Sequence, residues 1–304
     1  MATATASTSQ WICRDRALDL THVQIMGILN VTPDSFSDGG RFFDAETAIA
    51  HARAMAAEGA AILDIGGEST RPGAEAVSAD EELRRVMPVI ERLRDDGPIL
   101  SIDTCKAAVA RAALEAGVHN VNDVTALAAD PEMAATAAEF GAGVVLMHMQ
   151  GTPRTMQINP TYGDVIGDIA DFFERRIERA VRAGISKAHI VLDPGIGFGK
   201  TLAHNLQILR RLGEFRRLGR PILVGPSRKS FIRMVLGGEP DDRLEGTAAA
   251  VAAAVLAGAS IIRAHDVRAM WRVARLSEAI AHAAPPGDAG DQPVPDDSSR
   301  GNRQ

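Results

Sequence analysis

Short apolar runs alternate with longer amphipathic stretches along most of the chain. Between the runs, apolar residues recur at spacings of three and four, which is the period of a helix with one buried face. This alternation predicts strands separated by helices. The predicted strands cover residues 25–30, 61–66, 99–103, 120–124, 144–148, 190–193, 222–224 and 261–265, and the clearest helices cover 45–57, 80–93, 106–116, 165–183 and 202–212.

Strands that are apolar on both faces indicate a parallel sheet covered by helices. Eight such units predict an α/β fold of the (β/α)₈ type, the TIM barrel. A doubly wound open sheet is the alternative, and it is disfavoured because no dinucleotide-binding turn follows the first strand. The uncharged segment 246–262 is shorter than a membrane span, so we expect a buried helix that runs into a strand.

Composition narrows the class of protein. The 304 residues suffice for one large barrel, 46% of them are hydrophobic, and only 4% are aromatic. A net charge of −6 excludes a general affinity for nucleic acid or for anionic membranes. Two distant cysteines, Cys13 and Cys105, exclude a disulfide scaffold. The start of the chain lacks the pattern of a secretory signal, which predicts a cytoplasmic location.

The two ends of the chain lack periodic apolar positions. We therefore expect a disordered tail over residues 1–20, a single barrel domain over 21–283 and a second disordered tail over 284–304.

Polar residues collect at the end of each predicted strand and in the loop that follows it, as on the catalytic rim of a barrel. Acceptors on this rim suit a flat ligand with several N–H donors, and cations suit a phosphate or carboxylate. One pocket with two chemically different ends is the simplest arrangement. The acceptors are Asp103, Asn122 and Asp193; the cations are Arg71, Lys229, Arg263 and His265; Asn30 could add an oxygen to Mg²⁺.

The glycine-rich segment 193–201 invites a nucleotide-binding interpretation. It matches neither the P-loop nor the dinucleotide fingerprint, because Pro194 and Lys200 stand where glycine is required. We expect its glycines to bring the backbone close to a ligand and Phe198 to present a ring face. His148 is interpreted as a packed histidine at a strand end rather than as a metal ligand.

Eight ordered motifs resemble the dihydropteroate synthase family over nearly all of residues 25–282. They include GILNVTPDSFSDGG at 27–40, GGESTRPG at 66–73 and SRKSFI at 227–232. The others lie at 101–104, 122–123, 147–153, 193–200 and 263–266. Pro226 departs from the family pattern, and its ring could alter the path into Lys229.

The resemblance implies an enzyme that joins 4-aminobenzoate to a dihydropterin methyl diphosphate, with release of pyrophosphate, and that is inhibited by sulfonamides. Asn30 and Asp38 would bind Mg²⁺. Substrates would be bound by Thr70, Arg71, Pro72, Asp103, Asn122, Asp193, Phe198, Lys229, Ser230, Arg263 and His265, of which Asp103, Lys229, Arg263 and His265 are the catalytic candidates. The resemblance also implies a homodimer, for which an apolar stripe at Met270, Val273, Ala274 and Ile280 is suitable.

Two other functions remain open at this point. A pterin-dependent methyltransferase would use a related barrel, but it has no pyrophosphate to release and therefore no need for the cationic rim. A barrel without catalytic activity, serving as a binding subunit, is the other alternative. Pyrophosphate release on mixing the two substrates would separate the first alternative from the synthase.

Overall fold

A computed structural model describes residues 9–32, 41–69, 76–237 and 243–283, with the backbone alone for 41–44. The eight predicted strands are all present, and together they form one parallel sheet. The strands are β3 (Gln24–Asn30), β4 (Ala60–Gly66), β5 (Ile99–Asp103), β6 (Asn120–Asp123), β7 (Gly143–Met147), β8 (Ile190–Asp193), β9 (Leu223–Val224) and β10 (Ile261–Ala264).

The sheet curls into a nearly closed barrel. Its spatial order is β8-β7-β6-β5-β4-β3-β10-β9. Six of the seven neighbour pairs are sequential in the chain, and the seventh pairs the first barrel strand, β3, with the last, β10. A parallel bridge between Leu192 and Ile222 connects the two remaining edges. The (β/α)₈ prediction is confirmed, and the open-sheet alternative is wrong.

Helices cover the outside of the barrel. The predicted helices are confirmed with small changes at their ends, and Gly59 follows the first of them at a φ of +104°, a conformation that side chains disfavour. The helices are α1 (Arg41–Ala57), α2 (Ala79–Leu93), α3 (Ala107–Glu115), α4 (Met133–Glu139), α5 (Val165–Arg182), α6 (Leu202–Arg210), α7 (Ser230–Leu236), α8 (Leu244–Leu256) and α9 (Val267–His282).

The uncharged segment 246–262 forms most of α8 and the start of β10, as predicted. Among the described residues, no helix combines the length and the apolar character needed to cross a bilayer. Buried side chains of the segment, among them Val251, Ala254 and Ile262, join the apolar core.

The apolar core has two layers. The larger layer lies between the barrel and the helices, and the smaller one fills the barrel itself. Inside the barrel, β3, β4, β5, β7, β8, β9 and β10 each supply one apolar side chain: Met26, Ile62, Ile99, Val145, Val191, Leu223 and Ile261. These residues form an apolar floor beneath the carboxyl ends of the strands.

The expectation of a disordered segment over residues 1–20 is wrong for its second half. Antiparallel strands β1 (Gln10–Cys13) and β2 (Arg16–Asp19) form a hairpin. Its Trp11 and Cys13 are fully buried and join the apolar floor, so the hairpin seals the amino-terminal end of the barrel. The rest of that segment, residues 1–8, and the predicted tail 284–304 lie outside the described residues.

Replacing Trp11 by Ala should destabilise the protein by about 3–5 kcal/mol, because a fully buried large ring leaves a cavity in the floor. The change also removes the 2.8 Å hydrogen bond that the Trp11 indole donates to the carbonyl of His189. Urea unfolding measures the difference, and Gln10→Ala, at an exposed position of the same strand, is the control. A loss below about 1 kcal/mol would contradict the role of the hairpin as a seal.

Candidate active site

The polar side chains of the barrel mouth stand directly above the apolar floor. Side chains on a strand alternate between its two faces, so a residue two or four positions after a floor residue also points into the barrel. The residues two positions after a floor residue are Asp64, Ser101, Asp193 and Arg263. Those four positions after a floor residue are Asn30, Asp103 and His265. The sequence pattern therefore places all of these groups in one cavity.

Arg263 lies between two carboxylates contributed by neighbouring strands. Its Nε donates to Asp64 Oδ2 at 2.6 Å, and its Nη2 donates to Asp103 Oδ2 at 2.7 Å. Burial raises the pKa of Asp103 to about 7, although the Arg263 charge opposes this rise. Among the residues that the structure describes, these two bonds use two of the five N–H groups of the guanidinium, and the other three can bind a ligand.

Asp64 connects this ion pair to the amide of Asn122. It is fully buried; its Oδ1 accepts from Ser101 Oγ at 2.5 Å, and its Oδ2 accepts from Asn122 Nδ2 at 2.9 Å. Asn120 Nδ2 in turn donates to Ser101 Oγ at 2.8 Å. Because the Asn122 amide nitrogen faces Asp64, its carbonyl oxygen is the end turned towards a ligand.

The site residues predicted from the sequence do not include Asp64 or Ser101. Asp64 lies on the polar rim that the sequence predicts, but the motifs assign it no contact with a substrate. Its position two residues after Ile62 of the floor is the signal that could have identified it.

Asp193 ends β8 and begins the glycine-rich turn. Its Oδ1 accepts from the backbone N–H of Gly195 at 2.7 Å, so Oδ2 is the oxygen available to a ligand. Burial raises the pKa of Asp193, and the hydrogen bond from Gly195 and the charges of Lys229, Arg263 and Lys200 oppose this rise. The positive charges of Lys229, Arg263 and Lys200 therefore stabilise the ionised form of Asp193.

The side chains of Lys229 and Phe198 are in contact at the mouth of the barrel. The Lys229 ammonium lies 4.2 Å from the centre of the Phe198 ring, which is the geometry of a cation–π contact. Phe198 belongs to the glycine-rich turn, and the expectation that its ring lines a ligand site stays a prediction. Ser230 is the exposed first residue of α7, directly after Lys229.

The turn before Lys229 is strained. Arg228 has a φ of +55°, at the third position of a turn closed by the Lys229 N–H and the Pro226 carbonyl at 3.3 Å. Because Pro226 only accepts in this turn, its missing N–H removes no turn hydrogen bond. The buried hydroxyl of Thr247 accepts from the Arg228 N–H at 3.1 Å, and the Arg228 guanidinium pairs with both oxygens of Asp266.

Replacing Thr247 by Val should leave the Arg228 N–H without its acceptor and release the strained turn. We expect a loss of stability of about 1–3 kcal/mol, measured by urea unfolding, because a buried donor loses its partner. Thr247→Ser keeps the hydroxyl and is the matched control. Equal stability of the Val and Ser variants would mean that this hydrogen bond does not hold the turn.

His265 contributes a hydrogen-bonding group rather than a charge. Burial, followed by the charges of Arg263 and Arg228, lowers the pKa of His265 to about 4. Its Nδ1 lies 3.0 Å from Ser227 Oγ, and the same hydroxyl accepts from the His265 backbone N–H at 3.2 Å. Among the described residues predicted as cations, Lys229 and Arg263 therefore carry the positive charge at neutral pH, and His265 is neutral.

His148 is a packed residue, as predicted. It is buried, its ring lies edge-on to Phe172 with a centroid distance of 4.9 Å, and its second ring neighbour is Tyr162. Burial and the Lys200 charge lower the pKa of His148 to about 2, so the imidazole is neutral. The described residues contain no group of three or more His, Cys, Asp or Glu side chains arranged as a metal site.

The remaining site predictions concern the loops and the first barrel strand. Asn30 is half-buried at the carboxyl end of β3, where it pairs in register with Gly66, and Gly66 pairs with Asp103. The predicted positions Asp38, Thr70, Arg71 and Pro72 lie outside the described residues.

Both cysteines are free thiols, and burial raises the pKa of Cys105 to about 11.

Comparison with known proteins defines the class of this barrel. A family model described as pterin binding enzyme matches residues 26–265, which include every strand-end group of the cavity described above. The chain therefore belongs to the pterin-binding enzymes. Within that class it belongs to the dihydropteroate synthase family, whose members are transferases.

Individual relatives match along most of their length. The dihydropteroate synthase of Synechocystis sp. is 50% identical over 258 residues, which cover 84% of this chain and 89% of the relative. The Yersinia pestis enzyme, solved with a sulfonamide drug, superposes with a TM-score of 0.85 at 48% identity over 90% of this chain and 99% of that one. The Xanthomonas albilineans enzyme, solved with 7,8-dihydropteroate, superposes with a TM-score of 0.82 at 44% identity over 91% of this chain and 100% of that one.

Proposed function

We propose that this chain forms 7,8-dihydropteroate and pyrophosphate from 4-aminobenzoate and a dihydropterin methyl diphosphate. The observation that carries the proposal is the single cavity in which acceptors and cations occupy adjacent corners. A relative at 44% identity was solved with 7,8-dihydropteroate, the product of this reaction. In this chain, the acceptors Asn122 and Asp193 suit the pterin part of such a product, and the cations Arg263 and Lys229 suit the pyrophosphate released with it.

The acceptor corner suits the pterin. Asp193 Oδ2 and the Asn122 carbonyl oxygen face the cavity and can accept from the N–H groups of the heterocycle. Asp103, whose Oδ2 accepts from Arg263, can accept from the ligand with its other oxygen. Phe198 and the Lys229 alkyl chain border the adjoining aminobenzoate site, to which we also assign Ser230, Arg71 and Pro72.

The cationic corner suits the diphosphate. Arg263 keeps three N–H groups for phosphate oxygens, Lys229 adds an ammonium, and neutral His265 can donate from its Nε2. We assign Thr70 to the same anion.

The reaction separates charge along the bond that breaks. Loss of diphosphate leaves positive charge on the pterin methylene, and nearby carboxylates stabilise that charge while Arg263 and Lys229 stabilise the leaving anion. The amine of 4-aminobenzoate then forms the new carbon–nitrogen bond and loses a proton. The neutral amine is already nucleophilic, so we propose no dedicated general base.

The described donor set fits a weakly held Mg²⁺. Asn30 places one half-buried amide at the mouth of the cavity, and Mg²⁺ commonly takes few protein ligands and completes its shell with water and phosphate oxygens. We propose Asn30, with Asp38 from the following loop, as its protein ligands. When bound, the ion would neutralise charge on the diphosphate.

Pyrophosphate release is the direct test of this function. Mixing the purified chain with both substrates and Mg²⁺ should release one pyrophosphate per dihydropteroate formed, and omission of 4-aminobenzoate should abolish the coupled product. Sulfonamides should compete with 4-aminobenzoate. No pyrophosphate from the complete mixture would refute the proposal, and full activity in excess chelator would refute the role of Mg²⁺.

We further propose a homodimer that covers the outer faces of α7 and α9. In the predicted stripe, Met270 and Ala274 belong to the core, Val273 is half-buried and Ile280 is 61% exposed. Leu276 adds a second exposed apolar side chain on α9, and Met234, Val235 and Leu236 add three on α7. Leu276→Glu should convert the dimer to a monomer in sedimentation experiments, and a wild-type monomer would refute the proposal.

A further inference from the structure

Lys200 is a buried cation whose hydrogen-bonding partners are uncharged. Only 3% of the residue is exposed. Its ammonium lies 3.0 Å from His148 Nδ1, 3.2 Å from the His148 carbonyl oxygen and 2.8 Å from the Phe198 carbonyl oxygen. A buried lysine loses favourable solvation, so this site must have a structural or functional reason to keep it.

The three bonds join the glycine-rich turn to the end of β7. The His148 carbonyl belongs to the strand end, and the Phe198 carbonyl belongs to the turn. Gly195 lies so close to the end of the strand that a Cβ there would collide with the His148 carbonyl oxygen. The ammonium of Lys200 therefore fixes the turn against the strand at its closest approach.

Both ends of this turn carry a group that faces the cavity. At one end the Gly195 N–H orients the carboxylate of Asp193, and at the other end the Phe198 ring faces the Lys229 ammonium. A further backbone bond, from the Phe198 N–H to the Gly195 carbonyl at 3.0 Å, makes the turn one rigid unit. Displacement of the turn would move both cavity groups together.

Charge connects Lys200 to the same carboxylate. The cations that lower the pKa of Asp193 are Lys229, Arg263 and Lys200. Around Lys200 itself, burial lowers the pKa to about 7, Asp193 raises it and Lys229 lowers it further. His148 and His204 also face the ammonium, and both imidazoles have a lowered pKa.

We propose that Lys200 is a positioning residue for the pterin site: its buried ammonium holds the 194–199 turn so that the Asp193 carboxylate and the Phe198 ring keep their places. This inference rests on the proposed function, since it treats Asp193 as the pterin acceptor. Lys200 itself acts through the turn and does not touch the substrate.

Two variants of Lys200 separate its charge from its hydrogen bonds. Lys200→Met removes both, and Lys200→Gln removes the charge but keeps an amide that can donate to a carbonyl. We expect Lys200→Met to weaken binding of a dihydropterin about 10–100-fold, the effect of one lost charge-assisted hydrogen bond, and Lys200→Gln to weaken it less. Lys187→Met, at an exposed position, is the control.

The pH profile distinguishes positioning from general support of the fold. Loss of the Lys200 charge should raise the pKa of Asp193. Pterin affinity falls at low pH as Asp193 is protonated, and this fall, the acid limb of the pH profile, should move to higher pH by about 0.5–1 unit in both variants. A purely structural role would lower affinity equally at all pH values. An unchanged acid limb, an unchanged affinity or the failure of both variants to fold would each overturn the proposal.

Pterin binding is measured without turnover, by titration of the full chain with a dihydropterin alcohol. If the wild-type chain binds the pterin but releases no pyrophosphate, the proposed function fails while the role of Lys200 can still be measured. If the wild type is active and the variants match it, only the role of Lys200 fails.

Discussion

Replacing Arg263 by Gln should lower kcat/KM by at least about 10²–10³-fold, the usual effect of losing one preorganised charged contact. The guanidinium pairs with buried Asp64 and Asp103 and, in our proposal, receives the departing diphosphate. Arg263→Lys keeps the charge but cannot bridge two carboxylates, so its activity should fall between those of the wild type and Arg263→Gln. Initial rates of pyrophosphate release, measured at pterin diphosphate concentrations from below to above KM, provide the measurement.

The same Arg263→Gln change should also reduce stability in a pH-dependent way. Without the guanidinium, the buried carboxylates lose their counter-charge, which typically costs about 3–5 kcal/mol. The pKa of Asp103 is already raised by burial, and it should rise further. A carboxyl whose pKa is raised by folding favours the folded state while protonated, so the deficit should be larger at pH 8 than at pH 5. A deficit independent of pH would contradict this account.

Replacing Asp193 by Asn should reduce kcat/KM by about 10²–10³-fold with little loss of stability. The amide oxygen can still accept from the Gly195 N–H, so the turn should remain in place. The amide nitrogen would then occupy the position of Oδ2 and point a donor at the N–H donors of the pterin. Because burial disfavours the ionised carboxylate, the neutral amide should fold at least as well.

Asp95→Asn, at an acid whose side chain is 88% exposed, is the control for that experiment. Steady-state rates at several pterin concentrations would separate binding from turnover. Turnover of Asp193→Asn within about threefold of wild type would remove Asp193 from the proposed pterin site.

Much of this architecture follows from local sequence patterns. Strand ends such as Asp103, Asp193 and Arg263 could be located because apolar runs define a strand and the carboxyl end of a parallel strand faces the mouth of a barrel. The pairing of Arg263 with Asp64 could not be predicted, because the two residues are 199 positions apart and meet only through closure of the barrel.

Other features depend on surroundings that the sequence does not display. His265 resembles a cation in the sequence, but its burial beside Arg263 makes it neutral. In the sequence, Lys200 is one residue of a glycine-rich segment, and only the fold brings its ammonium to the carbonyl oxygens of His148 and Phe198. Residues 10–19 have strands of four residues each, too short for periodicity to distinguish them from an irregular tail.

The hairpin that carries Trp11 and Cys13 has a kinetic consequence for the proposed reaction. Because the hairpin closes the amino-terminal end of the barrel as far as the structure describes it, we expect reactants and products to enter and leave at the carboxyl ends of the strands. Dihydropteroate and pyrophosphate would then have to depart along the route by which fresh substrate arrives. Accumulated pyrophosphate should therefore obstruct entry of the pterin diphosphate and slow the enzyme as product builds up.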